Sequence, residues 1–75
     1  MTEKDKKIIE DAEREGIPIF VLTAKDFNAP FTLRMYQQAC SFHNCNESHI
    51  DGIEKRIAEF KDWQYMNIER VKLPD

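Results

Sequence analysis

The sequence predicts a mainly α fold: a three-helix small domain, residues 1–75, with one short extended or β segment at 17–22. Three observations carry that expectation. Apolar residues recur at spacings of three and four through 47–66, the signature of an amphipathic helix. Helix-starting and helix-stopping residues bracket 3–15, 30–43 and 47–66. Between the first two helices, Ile17-Pro18-Ile19-Phe20-Val21-Leu22 is β-branched and aromatic, which breaks the helical period and reads as an extended run.

The first helix starts at Thr2, whose hydroxyl sits three residues before Asp5 as in a capping box. Its apolar stripe is narrow, Ile8, Ile9 and Ala12, so 3–15 reads as peripheral, with Glu10 and Arg14 as an i,i+4 pair. Gly16 falls where a left-handed residue ends a helix, and Pro18 follows just beyond. The extended segment then poses a question of pairing, because its backbone N–H and C=O groups need partners. Two remain open: the weakly alternating tail Ile68–Leu73, and the same segment in a second copy of the chain. Thr23-Ala24-Lys25-Asp26 reads as a capped turn, and Asn28-Ala29-Pro30 opens the second helix, proline being tolerated in a first turn.

Along 30–43, Leu33, Tyr36 and Cys40 share one side and Met35, Ala39 and Phe42 an adjacent one, predicting a broad apolar face. The third helix is capped by Asn46 or Ser48. Ile50, Ile53, Ile57 and Phe60 form its seam, extended by Trp63 and Met66, with Asp51, Lys55 and Glu59 as an outer charged ladder. A tail, 67–75, completes the chain. The expected core is Phe20, Leu22, Leu33, Tyr36, Ile53, Ile57, Phe60 and Trp63.

Composition narrows function by exclusion. With 41% hydrophobic and 33% charged residues the chain is globular in character, and eight aromatics are many for 75 residues. A formal net charge of −3, with eleven Lys and Arg dispersed among acids, argues against general nucleic-acid binding. The charged N-terminus is not followed by an apolar stretch, and no run is long enough to span a bilayer, so the expected setting is cytoplasmic, without a membrane partner and with free thiols.

Both cysteines and both histidines lie in Cys40-Ser41-Phe42-His43-Asn44-Cys45-Asn46-Glu47-Ser48-His49. Cys40, His43, Cys45 and His49 are therefore the candidate metal cluster. Zinc takes four ligands around one point, usually as two close pairs separated by a longer span. Here all four fall within ten residues, and the second pair would have to fold straight back. An ordinary turn accounts for each residue: Cys40 as a small core hydrophobe, Asn44 as a left-handed terminator, Cys45 and Ile50 as a hydrophobic staple around an Asn46 cap. The expectation is no metal and no cofactor. A Cys–His dyad lacks an oxyanion pocket and an orienting third group, so the chain is expected not to be an enzyme.

The stretch Pro18-Ile19-Phe20-Val21-Leu22-Thr23-Ala24-Lys25-Asp26, then Ala29-Pro30, resembles the opening of small bacterial and phage-encoded proteins with a PVFVLxAxDxxAP pattern. In those an aliphatic residue and an arginine precede an aromatic, here Leu33, Arg34 and Tyr36, and the chain closes on Trp-Gln and Pro-Asp, here Trp63-Gln64 and Pro74-Asp75. The resemblance leaves out the first helix. It implies a phage or mobile-element setting and stoichiometric binding, and no mechanism.

Two functional expectations follow. One is a non-enzymatic homo-oligomer, a dimer by preference, that binds another protein; Lys25, Asp26, Arg34 and Tyr36 are its candidate contacts. The other is a binder of a nucleotide or phosphorylated metabolite with an intersubunit pocket, in which Lys25, Arg34 and the turn at Thr23 hold the anion.

Overall fold

The computed structural model describes residues 2–73. It is mainly helical, with α1 at Glu3–Glu15, α2 at Ala29–Phe42, α3 at Glu47–Met66 and a short 3-10 turn at Ile68–Arg70. The helix boundaries follow local chemistry. The Thr2 hydroxyl accepts the Asp5 N–H at 3.1 Å, and Gly16 ends α1 in the left-handed region at φ 67°, where a side chain would be strained. Arg14 pairs with Asp11 at 2.7 Å rather than with the expected Glu10. The spacing i,i+3 brings a shorter carboxylate into reach on the same helix face.

α2 and α3 form an antiparallel hairpin and pack on each other, whereas α1 makes no comparable contact with another helix. Cys40, Ile53 and Ile57 are the centre of the hairpin core, with Leu33, Cys45 and Ile50 packed against them. Elsewhere Ala12, Ala29 and Pro30 are buried, Ala29 completely. Ile57, 1% exposed, is the only large side chain fully buried among the described residues.

Several expected core positions lie outside. Phe20 is 82% exposed and Tyr36 52%; Leu22, Leu33, Phe60 and Trp63 are half-buried. Of the two stripes expected on α2, only the one through Leu33 and Cys40 reaches α3. Met35, Ala39 and Phe42 face solvent, because a helix with one helical neighbour can bury only one stripe. Met66 is also exposed, and the ion pair on α3 is Arg56–Glu59 at 2.9 Å rather than the ladder through Lys55.

The segment 17–22 has no regular secondary structure and belongs to no sheet. Ile17 N–H donates to Ala12 C=O at 2.8 Å; from Pro18 to Leu22 no backbone group is paired among the described residues. The tail does pair, but with the following turn. Lys72 N–H donates to Lys25 C=O and Phe27 N–H to Lys72 C=O, both at 2.9 Å, giving a single parallel bridge between Asp26 and Lys72. Gln64 of α3 fixes this corner from beneath: its amide nitrogen donates to Ala24 C=O at 3.1 Å and Asp26 C=O at 2.9 Å. Pro74 and Asp75 of the predicted tail lie outside the described residues.

The resulting shape is loose for its mass. The Cα radius of gyration is 13.9 Å, against about 11 Å for a compact chain of this length. The accessible surface is 6447 Å², where a typical folded monomer of this mass exposes about 4,800 Å². Among the described residues no helix is long and apolar enough to cross a membrane.

Candidate functional site

The stretch from Cys40 to His49 resolves into two helix-terminating devices in series. Asn44 takes the left-handed conformation at φ 59°. Cys45 N–H reaches back to Cys40 C=O at 2.9 Å, and Asn44 N–H to Ser41 C=O at 3.2 Å. Those two bonds are a Schellman motif, which normally carries an apolar contact between the residues that Cys40 and Cys45 occupy. Asn46 then caps α3, its side-chain oxygen accepting the Ser48 N–H at 2.8 Å. Cys45 before the cap and Ile50 in the first turn pack on the same core, the arrangement of a hydrophobic staple.

The turn therefore uses both cysteines as apolar residues, and both are free thiols, Cys40 buried. The adjacent Cys40 thiol, through a side-chain hydrogen bond, holds the Cys45 thiol above its ordinary value, with burial adding to the effect. That direction disfavours the thiolate that nucleophilic chemistry requires. The histidines diverge: His43 meets the Phe42 ring edge-on at 5.2 Å between centroids, while His49 meets Tyr36 across the hairpin. Among the described residues no three His, Cys, Asp or Glu side chains gather into a metal-holding group.

Tyr36 and His49 form a polar contact between the helices near the connecting turn of the hairpin. The Tyr36 hydroxyl lies 3.3 Å from His49 Nε2, with the rings perpendicular and 6.1 Å apart. A side-chain hydrogen bond with Cys40, the largest influence, raises the phenol above its ordinary value. A groove of about 340 Å³ opens beside them, lined also by Leu33, Ser48, Ile53 and Arg56.

Arg34 lies in a different place. Its guanidinium bridges to Glu54 of α3 at 2.7 Å and to Gln37 at 2.6 Å, while Gln37 donates to Ile50 C=O at 3.2 Å. Arg34 thus ties the two helices together through Nη1. Lys25 and Asp26 are at the opposite end of α3, in the corner that Gln64 holds. Asp26 caps its own turn, its carboxylate accepting the Asn28 N–H at 2.8 Å. Lys25 lines a depression of about 310 Å³ together with Glu69, Arg70 and Lys72.

The four sequence-chosen residues therefore do not form one site. Lys25 and Asp26 belong to the tail corner, Arg34 to a helix–helix ion pair, and Tyr36 to the hairpin groove. Sequence reading missed Arg70 and Lys72, since only the tail bridge brings them to Lys25. The one available signal was Trp63-Gln64, a ring and an amide at the end of an amphipathic helix, where each can fix a returning segment. Arg70 does lie over the Trp63 ring, 5.2 Å from its centroid.

No protein-family model, curated protein or solved structure matches the chain.

Proposed function

We propose that the chain acts without catalysis, as a homodimer that binds another protein in the cytoplasm. The observation that supports this is the mismatch between surface and mass. The 6447 Å² of accessible surface exceeds that of a typical monomer by about 1,600 Å², whereas a standard interface covers about 800 Å² on each partner. The excess is apolar where it matters. Ile17, Ile19, Phe20 and Val21 are all exposed, on a stretch whose backbone donors and acceptors are unpaired from Pro18 onward. An apolar edge with free N–H and C=O groups is a template for a like segment from a second chain, and a small chain gains by association the burial it lacks alone.

Phe31, Met35 and Phe42 follow at helical spacing along the outer face of α2, and all are exposed. In this reading they are the face turned to the second protein, replacing Lys25, Asp26, Arg34 and Tyr36 as the contacts. The phage or mobile-element setting rests on the sequence resemblance alone.

Sedimentation velocity over a dilution series tests the reading. The wild-type chain is expected to sediment at twice its 8.9 kDa mass, and Phe20→Asp to dissociate it while leaving the α-helical circular dichroism intact. A wild-type mass of one chain from micromolar to millimolar concentration would refute it.

A further inference from the structure

We propose that the corner formed by Lys25, Arg70 and Lys72 is a binding site for the phosphate group of a small phosphorylated molecule. The observation is one of charge placement. Of the eleven Lys and Arg residues, Lys6, Lys7, Arg14, Arg34 and Arg56 are ion-paired. Three of the cations without an ion pair among the described residues converge on one depression of about 310 Å³, in a chain whose net charge is −3. Dispersed surface cations on an acidic chain are normally found next to acids. Among the described residues Glu69 is the only acid in the lining and makes no ion pair. The four side chains together carry +2, the complement of a phosphate monoester, whose charge at neutral pH is about −1.5 to −2.

The corner is also held in shape. Lys25 and Lys72 are fixed on neighbouring backbones by the bridge, whose two hydrogen bonds are both 2.9 Å. Gln64 pins the Lys25 turn from α3 with both its contacts to Ala24 and Asp26 carbonyls. Arg70 rests over the Trp63 ring, which restrains a guanidinium while leaving its edge free to donate. Two of the last carbonyls of α3, those of Trp63 and Gln64, are engaged by Asn67. Asn67 N–H donates to the Trp63 and Gln64 carbonyls at 2.9 and 3.3 Å, and its side chain donates to Trp63 C=O at 2.9 Å. A volume near 300 Å³ is at the lower end of small-molecule sites, so the depression has room for more than the phosphate alone. The site is independent of the dimer reading, since none of its cations lies in 17–22 or on the α2 stripe.

Trp63 is the sole tryptophan and reports on Arg70 directly. The experiment titrates the full chain with inorganic phosphate at constant ionic strength, with chloride as the control, following Trp63 fluorescence and the backbone amide resonances. Phosphate is expected to give a saturable change centred on Lys25, Arg70 and Lys72, and chloride none. Lys25→Gln and Lys72→Gln should each weaken binding by roughly two- to fivefold, the range of one exposed charge contact, and the double variant by the product of the two. Arg70→Lys, which keeps the charge and loses the fork, should weaken it too, and Arg56→Gln should leave it unchanged. The proposal fails if phosphate and chloride act alike, or if the double variant binds phosphate as the wild type does. It fails equally if the variants lower the melting temperature without phosphate while phosphate changes nothing, the result for cations that only complement the end of α3.

Discussion

Replacing Ile57 by alanine removes three carbons from the most enclosed side chain in the hairpin core, 1% exposed beside Cys40 and Ile53. At about 0.8 kcal/mol per buried methylene the transfer loss alone is about 2.4 kcal/mol, and the cavity left behind brings the total within about 2–5 kcal/mol. A chain of this length has roughly 4–11 kcal/mol to lose, and with so few large residues fully buried the lower end applies. Ile57→Ala should therefore cost about half the stability and lower the melting temperature by about 10–20 °C. The assay is urea denaturation followed by circular dichroism, at one fixed protein concentration because association contributes to stability. The midpoint should fall with an unchanged slope. Ile8→Ala is the control, at a side chain 55% exposed, and should change stability by no more than about 0.5 kcal/mol. If Ile57→Ala costs less than that, Ile57 is not a core residue and the α2–α3 packing described above is wrong.

Three other outcomes follow from the same geometry. Gln64→Ala removes both donors that hold the Ala24–Asp26 turn and should destabilise by about 1–3 kcal/mol, with amide shift changes at Lys72; a change confined to α3 would contradict the corner. Asn44→Ala forces a residue with a Cβ into the left-handed region at φ 59° and should cost about 1 kcal/mol, whereas Asn44→Gly should not destabilise; equal losses in the two variants would count against the Schellman motif. Cys45 holds its proton more tightly in the folded chain, through its contact with Cys40. Its contribution to stability is therefore present below the unfolded thiol's pKa and is lost as pH rises through the folded value. Iodoacetamide should reach half its limiting rate on folded protein at a higher pH than on the urea-unfolded chain, and the reverse order would refute the contact.

Much of the fold was legible because the helices are punctuated locally. Thr2, Gly16, Asn44 and Asn46 act within a turn of their own positions, and α1 and α3 begin and end at the predicted residues. The turn reading of the cysteine–histidine stretch rested on the same short-range chemistry. What local chemistry could not decide was which apolar residues find a partner. Phe20 and Met35 look like core in any hydrophobicity pattern, yet α2 has one neighbouring helix and 17–22 has no sheet to join. Where the candidate residues sit relative to one another was illegible for a related reason. The Arg34–Glu54 ion pair, twenty residues apart, is invisible to spacing. Lys25 was placed without Arg70 and Lys72 because a single tail bridge, not a periodic pattern, brings them together.

Hydrogen exchange at the Ile19, Phe20, Val21 and Leu22 amides tests the central claim most directly, because these four N–H groups have no acceptor among the described residues of one chain. If a second copy pairs with the segment, the four amides are protected, and their protection rises with protein concentration while that of α3 around Ile53 and Ile57 rises only with global stability. If they exchange at the rate of an unstructured peptide at every concentration, no strand pairs there, and the dimer proposed on 17–22 does not exist.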